Sequence, residues 1–94
     1  MTVAIRVVAL ADGRPCWMEG HYLSRFDFDA AAGRGRGWWT TRLDKALHFD
    51  DAGAAFDFWK TQCRTVPLRH DGEPNRPLTA FTVEIVPLPT EQHP

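Results

Sequence analysis

The chain has 94 residues, of which 44% are apolar and 24% are charged, and its formal net charge is −1. This length fits a single domain, and six Phe, four Trp and one Tyr supply material for a core. The composition excludes a disordered, collagen-like or coiled-coil protein. The near-neutral charge argues against a dedicated polyanion binder, because such proteins usually carry an excess of Lys and Arg.

The N-terminal segment predicts a β-strand rather than a targeting signal. Residues 2–10 are rich in β-branched side chains and apolar at both parities except at Arg6, as in a strand with neighbours on both sides or a covered second face. No basic segment precedes them, and the run is too short for a bilayer, which needs about 20 residues. We therefore expect a cytoplasmic chain with no membrane contact.

The two cysteines, Cys16 and Cys63, are expected to be reduced thiols. Their separation matches neither a redox motif nor a closed zinc site. A single disulfide between them stays open as an alternative, although disulfides are rare in the cytoplasm.

Two further strands follow in the predicted order. The Asp12-Gly13 step predicts a turn, and residues 16–29 alternate in polarity as a half-buried antiparallel strand, with a bend at Gly20 or Ser24. Residues 30–37, with three glycines and no apolar period, predict a mobile loop. The β propensity of residues 38–41 then predicts a short third strand.

One main helix is predicted in the second half of the chain. Residues 43–46 can form a single helical turn before Phe49 returns to the core, and Asp50 or Asp51 can cap the helix that follows. The apolar stripe at helical spacing consists of Ala52, Ala55, Phe56, Trp59 and Cys63. Phe58 projects away from this stripe and is expected at the edge of the core or exposed.

The C-terminal part predicts a long loop and a final strand. Residues 64–77 contain three prolines and an Asp-Gly step, too many breakers for a helix or a central strand. In residues 78–87 the apolar Phe81, Val83 and Ile85 alternate with polar residues. The fold class is therefore α+β, with an antiparallel sheet of three to four strands, one main helix packed on one face and the order β-β-β-α-β. Residues 1–89 form one compact domain, and residues 90–94 are a frayed tail.

Enzyme chemistry is not indicated by the sequence. The four histidines lack metal-ligand spacing, and Cys63 with His48 or His70 is the one nucleophile–base pairing of interest. Cys63 is better explained as a small buried apolar residue. The paired aspartates also have structural explanations, because Asp27 and Asp29 lie on the outer face of a strand and Asp50 and Asp51 cap a helix. We expect a non-enzymatic protein with no catalytic residue, no metal and no cofactor.

The strongest candidate for binding is the segment of residues 33–37, Gly-Arg-Gly-Arg-Gly, which we call the Gly/Arg loop. With Trp38-Trp39 it combines guanidinium charge with aromatic faces, and residues 30–49 carry four basic side chains against one acidic one. A solvated hairpin loop is the plainest interpretation. The functional interpretation is contact with a partner, because Trp and Arg dominate interface hot spots. The candidate partner-binding residues are Arg34, Arg36, Trp38, Phe58, Arg69 and Arg76.

Residues 71–77 form the stiff part of the second loop. Two prolines and an Asp-Gly step restrict the backbone there. This stiffness suits either a scaffold that holds the crossover against the helix or the presentation of Arg69, His70 and Arg76 to a partner, and both readings stay open.

Three segments of the chain carry a resemblance to other proteins: WTTRLDKALHF at 39–49, A-x-x-F-W at 55–59 and DGEPNRPLTAFTVEI at 71–85. Together they resemble small uncharacterised proteins of proteobacterial chromosomes and prophages, over about residues 3–87. The resemblance implies a compact cytoplasmic α+β domain from a phage-type gene neighbourhood. It transfers no activity and no catalytic residue.

The leading hypothesis is a phage or prophage accessory protein that binds a host or phage macromolecule. Inhibition of a bacterial CRISPR complex is one such role, implied by size and style alone. The alternative is a nucleic-acid-binding protein in which the Gly/Arg loop follows phosphates and a tryptophan stacks on a base. A protein partner is favoured, and a homodimer formed at an open sheet edge stays open as an alternative.

Overall fold

The structure, a computed structural model, describes residues 2–88, which form a four-stranded antiparallel sheet with one α-helix on one face. The elements are β1 (Val3–Leu10), β2 (Tyr22–Asp27), β3 (Arg36–Thr40), α1 (Ala52–Trp59) and β4 (Phe81–Pro87). The order of elements along the chain confirms the predicted α+β class and the β-β-β-α-β sequence, and the strands lie in the sheet in the order β3-β2-β1-β4. The predicted tail at 90–94 lies outside the described residues. No helix in residues 2–88 is long and apolar enough to cross a membrane.

β1 lies at the centre of the sheet, as its doubly apolar pattern predicts. It pairs with β2 on one side and with β4 on the other, both antiparallel. Val3, Ala4, Ile5 and Val7 are all buried. On the face away from the helix, Arg6 of β1 stands opposite Glu84 of β4, and the two side chains form an ion pair at 2.7 Å.

β2 is shorter than the sequence predicts, because the chain turns before it. Residues 16–20 are not a strand: Glu19 N–H donates to the Cys16 carbonyl, His21 N–H donates to the Met18 carbonyl, and Gly20 has a φ of +83°. The predicted bend at Ser24 is confirmed, since the pairing with β3 shifts register between Leu23 and Arg25. The turn leaves Trp17 74% exposed.

The helix is also shorter than its apolar stripe. Asp51 is the N-cap and its carboxylate accepts a hydrogen bond from Ala54 N–H at 2.8 Å. Because the helix ends at Trp59, Cys63 lies in the segment that follows the helix, and its side chain is buried there. Ala55 is fully buried, but Phe56 is 47% exposed, so its predicted place in the core is wrong.

The core lies between the helix and one face of the sheet. Its fully or almost fully buried members are Val3, Ile5, Leu23, Ala55 and Leu78. Aromatic side chains surround them: Trp39 packs edge-on against Phe81, and Trp59 Nε1 donates to the Phe81 carbonyl at 3.2 Å. Leu78 enters from a 3₁₀ turn at Pro77–Ala80, so β4 begins at Phe81 and not at Leu78 as predicted.

Candidate functional site

The Gly/Arg loop packs against other parts of the chain, whereas the sequence predicts that residues 30–37 form a mobile loop. The chain makes a 3₁₀ turn at Ala31–Gly33 and then enters β3 at Arg36. Gly33 is buried, and its carbonyl accepts a hydrogen bond of 2.8 Å from Asn75 Nδ2. The loop is therefore fixed to residues 64–77, the second loop of the molecule.

The three glycines of the loop are the points at which it approaches other atoms. A Cβ at Gly33 would lie 2.7 Å from Val66 Cβ, and one at Gly35 would lie 2.6 Å from the Phe26 ring. A Cβ at Gly37 would lie 2.5 Å from the Trp39 ring. Gly33 and Gly35 also have φ angles of +87° and +80°, which favour glycine. Glycine is thus needed for close packing here, whereas the sequence pattern suggested that it supplied flexibility.

Between these glycines the two arginines of the loop are exposed. Arg34 lines an open cleft of about 510 Å³ between the Gly/Arg loop and the second loop. Arg36 begins β3 and has its guanidinium carbon 5.2 Å from the centre of the Trp38 ring. The loop thus contributes one arginine to each of two surfaces.

The first surface, which we call the basic cleft, brings together several candidates that are far apart in sequence. Its basic side chains are Arg34, Arg69, His70 and Arg76, and none of the residues that line it is acidic. Apolar contact surface comes from Val66 and Leu68, which are 38% and 55% exposed. The cleft therefore offers positive charge beside an apolar wall.

Two of the arginines in the basic cleft have no carboxylate partner among residues 2–88. Arg69 pairs with Asp71, which also accepts the Glu73 N–H. The Arg69 guanidinium is the main cause that lowers the pKa of Asp71 to about 2. By contrast, Arg34 and Arg76 form no ion pair within this part of the chain. Their charge is available to an outside anion.

Hydrogen bonds hold the walls of the cleft in place. Asn75 Nδ2 donates both to the Gly33 carbonyl at 2.8 Å and to the Val66 carbonyl at 2.9 Å, which joins the two loops. The Asn75 carbonyl accepts from Cys63 N–H at 2.8 Å. On the other side of Arg76, Pro77 is buried. The backbone that carries Arg76 is therefore fixed on both sides.

The second surface is the sheet face opposite the helix, where Trp38, Arg25 and Arg36 form a cluster. Arg25 of β2 stands opposite Trp38 in the ladder, with its guanidinium carbon 4.7 Å from the ring centre. Arg36 shares this face because it lies two positions before Trp38 on the same strand. Trp39, at the other parity, packs toward the core. Two guanidinium groups therefore lie close to the Trp38 ring.

Phe58 lies apart from both surfaces. Its ring is half-buried, with centres 5.1 Å from those of Phe28 and Phe49, at the edge of the core. Its contacts in this chain are therefore with other core aromatics. Phe56, on the same helix, is the more exposed of the two phenylalanines.

Cys63 and Asp29 form a structural cluster. Asp29 accepts hydrogen bonds from the backbone N–H groups of Arg64 at 2.9 Å and Thr65 at 3.2 Å, and from Cys63 Sγ at 3.4 Å. The bond from Arg64 N–H is the largest cause that lowers the pKa of Asp29. Cys63 is only 1% exposed and is not in a disulfide with Cys16. The cluster anchors the start of the second loop to the end of β2.

Within the described part of the chain, no group of three or more His, Cys, Asp or Glu side chains is placed to hold a metal ion.

Sequence reasoning missed three residues that shape the surfaces: Arg25, Leu68 and Asn75. Arg25 could have been found from its polar parity on β2. Asn75 gave no signal, because an amide that joins two loops depends on their contact in space.

Comparison with known protein families, curated proteins and solved structures finds no match to this chain. The surfaces themselves are therefore the basis for a functional proposal.

Proposed function

We propose that this protein is a non-enzymatic interaction domain that binds an acidic protein partner through its arginine-bearing surfaces. The observation that carries the proposal is the packed Gly/Arg loop, which exposes Arg34 and Arg36 without a carboxylate partner among the described residues. A fixed loop loses less conformational freedom when it binds, so more of the interaction energy appears as affinity.

The identities of the exposed side chains support a protein partner. Arginine and tryptophan are enriched among interface residues that dominate binding energy, and Arg36 already lies against Trp38. Arginine also forms paired hydrogen bonds with carboxylates. The resemblance of the sequence adds two narrower proposals. The gene belongs to a phage-type neighbourhood, and the protein acts by inhibiting a CRISPR complex.

The test is affinity capture from the native host by the whole chain, with the recovered proteins quantified by mass spectrometry. The variant is the double substitution Arg34→Ala with Arg36→Ala. We expect the recovery of specific partners to fall at least about tenfold, since each lost charge-assisted hydrogen bond is worth roughly 1.5–3 kcal/mol. The melting temperature should stay close to that of the original chain, because both side chains are exposed.

The matched control is Arg42→Ala, an exposed arginine that pairs with Asp44 and belongs neither to the lining of the basic cleft nor to the Trp38 cluster. This variant should recover the same partners as the original chain. Unchanged recovery by the Arg34/Arg36 double variant would contradict the proposed function.

Binding of a nucleic acid is a second candidate, favoured by the Arg25–Trp38–Arg36 cluster. The cluster combines cationic side chains with an aromatic ring, as single-strand binding surfaces do. About four phosphate contacts would give a slope of log affinity against log salt of roughly −3 to −4. Fluorescence anisotropy with labelled single- and double-stranded oligonucleotides tests this candidate, and the absence of binding at low salt would remove it.

A further inference from the structure

We infer that the basic cleft binds a segment of peptide in which an acidic side chain stands next to an aliphatic one. The inference rests on the proposed function, because it specifies which part of an acidic protein partner the cleft would take. It concerns a site that is separate from the Trp38 cluster.

Charge selects the acidic side chain. The cleft contains Arg34, Arg76 and His70 with no acidic lining residue, and neither arginine has an ion-pair partner in residues 2–88. Arg69 is less available, because Asp71 already accepts hydrogen bonds from its Nε and Nη2. A carboxylate is the planar group that the guanidinium fork binds best in a protein ligand.

Apolar surface selects the neighbouring aliphatic side chain. Val66 and Leu68 line the cleft and are among the large hydrophobic residues that the described chain exposes. Leu68 is held in a short bridge with Pro74 on the second loop. An anion without an apolar group would leave this wall in water, whereas a Leu or Val beside the carboxylate would cover it.

The same features favour a peptide over a nucleic acid. A polynucleotide needs a basic track along several phosphates, but the second loop places Asp71 and Glu73 beside Arg69. The hydrogen bond to Asp71 is the main cause that raises the pKa of Arg69, and the charge of Glu73 adds to it. The net charge of the chain is −1. The positive region is therefore local and suits one or two carboxylates.

The walls are held before any ligand arrives. Asn75 ties the Gly33 carbonyl to the Val66 carbonyl, and Thr79 Oγ1 donates to the Arg76 carbonyl at 2.6 Å. The distance between the two walls is thus set by the protein's own hydrogen bonds. Little conformational entropy is therefore lost in these walls when a ligand binds, which favours selective binding of a small anionic group.

The experiment is a titration of the ¹⁵N-labelled whole chain, followed by NMR, with the capped peptide Ala-Leu-Glu-Leu-Glu-Ala as the probe. We expect saturable shifts of the backbone amides of Arg34, His70 and Arg76. A peptide with Gln in place of both Glu, and another with Ser in place of both Leu, should each bind at least about tenfold more weakly, the first because charge-assisted hydrogen bonds are lost and the second because apolar burial is lost.

Two variants locate the binding within the molecule. Arg34→Gln combined with Arg76→Gln should weaken binding of the peptide at least about tenfold, while Arg42→Gln, which does not line the cleft, should leave it within twofold. Both variants should fold, because all three side chains are exposed.

Three results would overturn the inference. They are shifts that fall outside the basic cleft or do not saturate, equal affinity for the Glu and Gln peptides, and tighter binding of inorganic phosphate than of the peptide. Each of these leaves the proposed function standing, provided that the Arg34/Arg36 double variant still loses its partners in the capture experiment. The proposed function itself would be contradicted if the Arg34/Arg36 double variant recovered its partners as well as the original chain does.

Discussion

At the scale of single residues, the sequence pattern and the structure assign different roles to Gly33. The alternation of Gly and Arg suggests a flexible loop, but Gly33 is surrounded by Val66 and Asn75. This arrangement could not be predicted, because the contacting atoms are separated from Gly33 by more than thirty positions of sequence. The exposed arginines, by contrast, were predictable from their charge alone.

The substitution Gly33→Ala tests this packing. The new methyl group would meet Val66 Cβ at 2.7 Å in a backbone conformation with φ of +87°. Strain and overpacking together should lower the free energy of unfolding by about 2–4 kcal/mol. Urea denaturation measures the change.

Gly72→Ala is the matched control, because Gly72 has a similar φ of +88° but nothing within 4 Å of the new methyl group. It should cost about 1 kcal/mol through strain alone. Equal effects of the two substitutions would show that the Gly/Arg loop is not packed as described.

Asp29 predicts a dependence of stability on pH. Its carboxylate accepts the N–H groups of Arg64 and Thr65, and its pKa is lowered, first by the bond from Arg64 N–H. Because the folded pKa lies below the unfolded value of about 3.9, Asp29 stabilises the fold above pH 4. This contribution is lost as the pH falls through the lowered folded value.

Asp29→Asn should therefore lower the melting temperature at pH 7, and the difference from the original chain should shrink below about pH 4. Thermal unfolding followed by circular dichroism between pH 7 and pH 2 measures this. Asp50→Asn is the control and should melt like the original chain throughout. A difference between Asp29→Asn and the original chain that is constant with pH would contradict the role of the Asp29 charge.

At the scale of elements, the sequence predicted the order and type of the main elements because their patterns are local. The doubly apolar β1, the capped helix and the alternating β4 each carry their signal within a few residues. The ends of β2, α1 and β4 were predicted less well. Residues 16–20 and 77–80 turn because of hydrogen bonds that a polarity pattern does not contain.

Helix α1 offers a test of its own beginning. Asp51 and not Asp50 accepts the Ala54 N–H, so Asp51→Ala should lower the free energy of unfolding by about 1 kcal/mol, the usual cost of a lost N-cap. Asp50→Ala should change it by less than about 0.5 kcal/mol. Chemical denaturation of both variants checks the pair, and a reversed order of the two effects would place the cap one residue earlier.

At the scale of the whole molecule, the charge of −1 is an average over unlike surfaces. Carboxylates pair with Arg6, Arg14, Arg42, Arg64 and Arg69. The arginines without an ion pair in the described residues are Arg25, Arg34, Arg36 and Arg76, and they lie at the basic cleft or at the Trp38 cluster. The sequence predicted all of these except Arg25 as partner-binding residues. That Arg34 and Arg36 lie at different surfaces is visible only in the folded structure.

The central claim is that the Gly/Arg loop is held rigid so that its arginines are ready to bind. ¹⁵N relaxation of the free protein measures this directly through the backbone order parameters of residues 33–37. We expect values near 0.85, like those of a rigid backbone. Values below about 0.6 would contradict the claim, because they would describe a flexible loop.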